Sequence, residues 1–274
     1  MRNRLLHIFR NTPFGRETLM QSVYFCKVTN TPLKVYVPRF RQFLMYFQNT
    51  VVTVDLDEAF LRSPGTAKSH AEGIIRPAGL VPQFIEPKGF TASTLPDLPV
   101  DISYMCCPRS ISDLSTKIGL GYIGPRVRAI IKNADFPVLI PTPVYKEWRS
   151  ITVFFGGSSN AVGAFRLALH IGGLSGYPVR IFTQGEGKPR RHYEEILEKE
   201  GLADGISKGG IEWIFFDGGK FRENLFEVPH DSLVVVGAYG HGLIKELVFG
   251  SMMEEVQTTL PNNMMIVGPN YAAP

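Results

Sequence analysis

The chain has 274 residues, of which 44% are hydrophobic and 20% are charged, and its formal net charge is +4. At roughly 100–200 residues per domain this length predicts two domains, and the ordinary apolar fraction excludes wholesale disorder. The basic residues are scattered along the chain, so nucleic acid is not expected as a partner. No apolar stretch approaches the roughly 20 residues that span a bilayer, so no membrane partner is expected either.

Cysteine usage points to a reducing compartment. The chain has three cysteines, Cys26, Cys106 and Cys107, and none of them belongs to a CxxC pair. An odd number without such spacing argues against a disulfide scaffold and against a zinc site. The short basic and apolar N-terminus also has no signal-peptide cleavage site, so a cytoplasmic location is expected.

The first half alternates predicted strands with predicted helices, which indicates a parallel α/β unit. The predicted elements are strands at Leu5–Phe9, Leu33–Val37, Gln83–Ile85, Ile102–Cys106 and Val138–Ile140, and helices at Arg16–Val28 and Arg126–Lys132. Within this pattern the segment Gln42–Asp57 contains two apolar runs around the polar pair Gln48-Asn49. This arrangement predicts an inserted β-hairpin with a tight turn.

The second half repeats the scheme from the apolar strand Ile151–Phe155 onwards. Ser158-Ser159-Asn160 supplies N-cap chemistry for a helix that Gly172-Gly173 is expected to end. Further elements are predicted as strands at Val179–Thr183, Ile211–Phe216, Ser232–Val236 and Met264–Val267, and as helices at Arg191–Glu200 and Met252–Leu260. The prolines of Pro141-Thr142-Pro143 mark a linker, so the domains are predicted as residues 1–143 and 144–274, two copies of one fold.

The most informative pattern follows strand Ser232–Val236, where glycines recur as Gly-x-x-Gly, nine residues, Gly-Ser. Without a Cβ, Gly237 and Gly240 let backbone N–H groups approach a phosphate closely. Gly250-Ser251 opens the next helix, whose positive N-terminus favours an anion. The same glycines also fit ordinary turns, and Ser251 forms a capping box with Glu254 that needs no ligand. Spacing alone leaves both interpretations open.

This pattern resembles the nucleotide-binding signature of universal stress proteins, and the duplication resembles a tandem member of that family. The resemblance implies an α/β fold with two tandem doubly wound domains, each a mainly parallel five-stranded sheet of order 3-2-1-4-5. It also implies ATP or another adenine nucleotide bound in the second domain, where strands 1 and 4 meet at the topological switch point. The binding residues it implies are Gly156, Gly157, Ser158, Thr183, Val236, Gly237, Gly240, His241, Gly250, Ser251 and Met252.

Two departures from the family pattern stand out. Members that bind ATP usually carry Asp at the end of strand 1, where it reaches the ribose or a divalent cation, and this chain has Gly156 there. Mg²⁺ is therefore only a candidate companion of the nucleotide, and no protein metal site is predicted. In the first half, alignment sets Cys107 where Gly237 stands, Ser110 at Gly240 and Pro125 at Ser251. That half is expected to be a degenerate, structural copy.

Two smaller features keep alternative interpretations. The hairpin aromatics Phe43, Tyr46 and Phe47 either cover the sheet edge or form a protein interface. The acids Asp55, Asp57 and Glu58 form either a cation site or a solvated strand end.

The leading functional hypothesis is a stress-response or regulatory module that binds an adenine nucleotide and acts on an unidentified protein partner. No catalytic Ser-His-Asp, HExxH or P-loop pattern is present in the sequence, so an enzyme is not expected. The alternatives are an interaction module of the same fold without nucleotide and, third, an enzyme acting on an adenylated substrate. Because the family tends to dimerise through its last strands, the two halves are expected to form an internal pseudo-dimer, with a homodimer as a further option.

Overall fold

The computed structural model describes residues 3–87, 95–109, 111, 123–203, 205–206, 210–239, 255–256 and 258–273. Its contacts divide the chain into two compact units, residues 1–147 and 148–274. The first unit includes the segment after the prolines because that segment is bound to the first long helix. The Tyr145 N–H donates to a Glu17 carboxylate oxygen at 2.8 Å, and the Lys146 N–H donates to the Gln21 side-chain oxygen at 3.1 Å.

The first unit contains one parallel sheet and a separate hairpin. Its strands are β1 (Leu5–Ile8), β2 (Leu33–Tyr36), β3 (Gln42–Phe47), β4 (Thr50–Asp55), β5 (Phe84–Ile85), β6 (Tyr104–Cys106) and β7 (Val138–Ile140). The parallel strands lie in the order β5-β2-β1-β6-β7, while β3 and β4 pair with each other and run antiparallel. Asp97 adds an isolated parallel bridge to Leu44 of β3. The hairpin lies within the segment Gln42–Asp57, where the sequence predicts it.

The α-helices in the described residues of the first unit are α1 (Pro13–Thr29), α2 (Pro64–Ile75) and α3 (Pro125–Asn133). The sequence prediction includes α1 and α3 but has no helix over α2. Helix α2 buries Ala67, Ala71 and Ile75, which are spaced four apart and so share one face. Because two of these three residues are small alanines, the apolar stripe of α2 is weak in the sequence.

The second unit repeats the parallel sheet without the hairpin. Its strands are β8 (Ser150–Phe154), β9 (Val179–Gln184), β10 (Glu212–Phe216), β11 (Ser232–Gly237) and β12 (Met264–Val267). They lie in the order β10-β9-β8-β11-β12, and all pairs are parallel. This is the doubly wound α/β arrangement that the sequence predicts for this half.

The helices of the second unit include α4 (Ser159–Ser175), α5 (Arg190–Lys199) and a short turn of helix at Phe221–Asn224. Helix α4 runs past Gly172-Gly173, where it was expected to stop, and ends at Gly176, whose φ of 72° is left-handed. Gly172 is a contact position instead, since a Cβ there would lie 2.7 Å from Val179 Cγ2. Of the helix expected at Met252–Leu260, the described residues 255, 256, 258 and 259 are helical.

Candidate functional site

The second unit places two loop segments side by side at the carboxyl edge of its sheet. Strand β8 lies between β9 and β11, and Phe154 pairs with Val236 at the ends of β8 and β11. From β8 the chain adds strands first on one side of the sheet and then on the other, and open α/β sheets bind ligands at this switch point. Residues 155–158 follow β8 and residues 237–239 end β11 and continue from it, so both loops begin at this point.

Gly237 is packed directly against the first turn of α4. A Cβ at Gly237 would lie 2.4 Å from the backbone C and O of Asn160 and 2.7 Å from the backbone N of Ala161, all of them atoms that cannot move independently. The Asn160 side-chain amide also donates a hydrogen bond to the Ala238 carbonyl oxygen. Asn160 therefore fastens the loop after β11 to the start of α4, a function that its place among N-cap residues did not reveal.

The turn after β8 is shaped by Gly157 and Ser158. Gly157 has a left-handed φ of 77°, and a Cβ there would lie 2.8 Å from Ile196 Cδ1 of α5. The Ser158 hydroxyl oxygen accepts the Ala161 N–H at 3.2 Å and so caps α4, as predicted. Gly156 is half-buried and brings no carboxylate to this edge. The turn thus offers backbone groups and one hydroxyl hydrogen to a ligand.

Thr183 lies inside the sheet rather than on its edge. Its side chain is buried, its hydroxyl donates to the Phe155 carbonyl oxygen at 2.8 Å, and it accepts the Trp213 indole N–H at 3.1 Å. Both hydrogen-bonding capacities of the hydroxyl are therefore in use within the protein. The structure gives Thr183 a role in joining β8, β9 and β10, while contact with an adenine ring stays a prediction.

The remaining predicted site residues fall into two groups. Val236 is fully buried in β11, so its side chain is not exposed to a ligand and only its backbone belongs to the site. Gly240, His241, Gly250, Ser251 and Met252 lie outside the described residues. Next to them, Tyr239 has a left-handed φ of 60°, an uncommon conformation for a residue with a Cβ. The described part of the site therefore consists of residues 155–160 and 236–239.

Known proteins resemble this chain in sequence and in fold. No family model matches the chain. A universal stress protein from Synechocystis sp. (strain ATCC 27184 / PCC 6803 / Kazusa) is 23% identical over 204 residues, which is 70% of this chain and 68% of that protein. The crystal structure of a universal stress protein from Archaeoglobus fulgidus DSM 4304 superposes with a TM-score of 0.63 at 16% identity, covering 98% of this chain and 99% of that one. The chain therefore resembles universal stress proteins in sequence and shares their fold.

The fold itself extends beyond the universal stress proteins. The cytoplasmic domain of a prokaryotic cation chloride cotransporter superposes with a TM-score of 0.54 at 12% identity, covering 100% of this chain and 98% of that one. A shared fold hosts different functions, so the sheet order by itself assigns no role to this chain. No helix in the described part of the chain has the length and apolarity to cross a membrane.

The first unit of the chain has the same switch point with a different residue alignment. Phe9 and Phe155 each donate a backbone hydrogen bond into the second strand of their sheet, so these two residues correspond. From there, the pairing of His7 with Cys106 matches that of Val153 with Val235. Pro108 therefore takes the place of Gly237, and the sequence alignment that set Cys107 there is wrong by one residue.

The loops of the first unit carry side chains where the second unit carries glycines. The same correspondence matches Arg10 with Gly156 and Thr12 with Ser158, and both hydroxyls cap the following helix. Arg10 forms an ion pair with Asp57 at 3.5 Å, and its guanidinium carbon lies 5.5 Å from the centre of the Phe60 ring. Arg109, after β6, is mostly buried, and burial lowers its pKa to about 10.

Neither a metal nor a redox function is supported in the described residues. Among them, no three His, Cys, Asp or Glu side chains are grouped so as to hold a metal ion. All three cysteines are free thiols and buried, and burial raises the pKa of Cys106 to about 12. A thiol at that pKa is protonated at neutral pH and is a poor nucleophile. Asp55 pairs with Arg41 at 3.3 Å and Asp57 with Arg10 at 3.5 Å, so these two acids are arginine partners.

Proposed function

We propose that the second unit binds ATP or a related adenine nucleotide at its switch point, and that occupancy regulates a partner interaction in the stress response. The observation that supports this is the meeting of residues 156–158 with Gly237 at the carboxyl ends of adjacent strands. The sequence continues from there into Gly240 and into Gly250-Ser251, the spacing that supplies backbone N–H groups to a phosphate. We expect no catalytic turnover.

The chemistry at Gly156 sets the expected strength of binding. Without a carboxylate at this position, one charge-assisted hydrogen bond to the ribose, or one ligand for Mg²⁺, is missing. Such a bond contributes roughly 1.5–3 kcal/mol, so we expect affinity about ten- to a hundredfold below that of a site with the acid. Mg²⁺, where it accompanies the nucleotide, would then be held mainly by phosphate oxygens and water.

The second candidate is an interaction module of the same fold that binds no nucleotide. It is favoured by the finding that packing already requires two of the site glycines. Gly237 lies against Asn160, and Gly157 lies against Ile196 with a left-handed backbone. These two positions would need glycine even in the absence of a ligand, so only Gly240, Gly250 and Ser251 separate the two candidates.

The first experiment is to denature the purified full chain, search for released adenine nucleotide by mass spectrometry, and titrate ATP into the nucleotide-free protein by calorimetry. The Gly240→Asp variant should bind ATP at least about a hundredfold more weakly, because a carboxylate beside a phosphate costs several kcal/mol. Gly218→Asp is the matched control. It adds the same charge after β10, where a Cβ meets no atom within 4 Å.

The outcomes divide the candidates cleanly. Nucleotide release, saturable ATP binding and selective loss in Gly240→Asp support the nucleotide site. Absence of both co-purified nucleotide and millimolar binding, in a chain that is folded by circular dichroism, leaves the interaction module. Equal affinity in Gly240→Asp and the unchanged chain would show that the nucleotide binds elsewhere.

A further inference from the structure

The hairpin insertion of the first unit delivers a carboxylate to that unit's switch point. Asp57 follows β4 and begins a turn of 3₁₀ helix at Glu58–Phe60, where its Oδ1 accepts the Ala59 N–H at 2.8 Å. Its Oδ2 lies 3.5 Å from the Arg10 guanidinium. The Asp57 side chain is only 11% exposed, so this carboxylate is held inside the protein.

Asp57 contacts the loops from both central strands of the sheet. Arg10 leaves β1, and the Asp57 N–H donates to the carbonyl oxygen of Ile111, two residues beyond Arg109 in the segment after β6. The Gly124 N–H donates to the Arg109 carbonyl oxygen at 2.7 Å, immediately before α3 begins. Asp57 is therefore held by Arg10 through its carboxylate and by the loop after β6 through its backbone.

Among the described residues of the second unit no counterpart of this carboxylate is present. The described residues between β9 and β10 include no hairpin, and the residue matching Arg10 is Gly156. The burial of neighbouring residues shows that the segment containing Asp57 is packed into the first unit. Leu56 and Phe60, which flank Asp57, are almost fully buried, and Phe60 supports the Arg10 guanidinium.

We propose that the chain itself fills the ligand position at the switch point of the first unit. The Asp57 carboxylate serves there as an internal anion that pairs with Arg10. The insertion thereby closes an anion site that the fold would otherwise offer to solvent. Removal of the Asp57 charge should open a site for a free inorganic anion that depends on Arg10. Whether or not the second unit binds nucleotide, this site is separate from it.

The test compares Asp57→Asn with the unchanged chain in titrations of inorganic phosphate at constant ionic strength, with chloride as the reference anion. Asparagine can still accept the Ala59 N–H, so the 3₁₀ turn keeps its cap. We expect phosphate to bind Asp57→Asn at least about tenfold more tightly than the unchanged chain, since one charge-assisted contact is freed. The double variant Arg10→Gln with Asp57→Asn should lose this gain.

Asp55→Asn is the matched control, because Asp55 pairs with Arg41 on the same hairpin and Arg41 is largely exposed. It should not change phosphate binding. Phosphate affinity that is equal in Asp57→Asn and the unchanged chain, with both folded, would overturn the proposal. Should Asp57→Asn not fold, Arg10→Gln alone decides: the proposal requires it to leave phosphate binding by the chain unchanged, and reduced binding overturns it.

Discussion

The two units keep the same frame and differ where that frame meets solvent. Thr12 and Ser158 cap helices of 17 residues each, and left-handed Asn30 and Gly176 end them. Between strand and cap the two units share a phenylalanine, but Arg10-Asn11 in one unit stands where Gly156-Gly157 stands in the other. Caps and helix ends satisfy backbone groups that any copy of the fold must satisfy. Residues that could serve only a ligand are free to change, and here they have changed.

The two units differ in the residue at the end of the fourth strand. In the second unit it is a glycine, Gly237, which contacts the start of α4. In the first unit it is Pro108, and the close contact of Gly15 in α1 is with the Arg10 carbonyl oxygen after the first strand. A glycine at the end of the fourth strand is therefore weak support for a phosphate site. The later glycines of the pattern are more informative.

The largest expected effect concerns this packing difference. Gly237→Ala should destabilise the chain by about 3 kcal/mol, the upper range for forcing atoms into a packed site, because the new Cβ meets backbone atoms of Asn160. The measurement is the free energy of unfolding in urea. Gly173→Ala is the control, because a Cβ there meets nothing within 4 Å and alanine should stabilise the helix by roughly 0.5–1 kcal/mol. Unchanged stability of Gly237→Ala together with lost ATP binding would show that the glycine serves the ligand alone.

Local signals predict much of this fold. The strands β7 and β12 have the bounds that the sequence predicts, because short apolar runs stop at polar or proline residues. Helix α4 was cut short in the prediction because Gly172 looks like a stop signal, whereas it is required by contact with Val179. Contacts of that kind come from the assembled sheet, and no local pattern contains them.

The site was harder to predict than the fold. Parallel strands are joined by long crossovers, so no turn fixes their register, and a shift of one residue separated Cys107 from the true counterpart of Gly237. The Arg10–Asp57 pair joins the first strand to an insertion, and only the folded chain brings those residues together. The sequence signal was a basic residue two positions before a helix cap, and it does not identify its partner.

The second prediction uses a pair of matched core positions, His7 in β1 and Val153 in β8. His7 is fully buried, its Nδ1 lies 2.8 Å from the Ser22 hydroxyl, and burial lowers its pKa from 6.5 to about 3. Below pH 6.5 the unfolded chain takes up a proton that the folded chain refuses, so stability falls as the pH drops towards 3. The slope is about 1.4 kcal/mol per pH unit, which amounts to roughly 2.7 kcal/mol at pH 4.5.

His7→Val gives the first unit the side chain of the second and should remove this loss. The measurement is the free energy of unfolding in urea at pH 7 and at pH 4.5, for His7→Val and for the unchanged chain. The Ser22 hydroxyl keeps a hydrogen-bond partner in the variant, since it is also hydrogen-bonded to the Cys106 thiol. His170→Gln, an exposed change on α4, is the control. An acid sensitivity that is the same in His7→Val and the unchanged chain would assign the effect to other groups.

The smallest expected effect tests whether the two caps have become different in function. Ser158→Ala and Thr12→Ala each remove one hydroxyl that accepts a backbone N–H, at 3.2 and 3.1 Å, and each should cost about 1 kcal/mol of unfolding free energy. The Ser158 hydroxyl still has a hydrogen to donate to a phosphate, so Ser158→Ala should also weaken ATP binding about fivefold, consistent with one net hydrogen bond. Thr12→Ala should leave ATP binding unchanged, because Thr12 belongs to the unit whose switch point holds its own carboxylate. Equal effects of the two variants on ATP affinity would mean that the caps act only through stability, and the difference between the units would then lie entirely in the glycine loop.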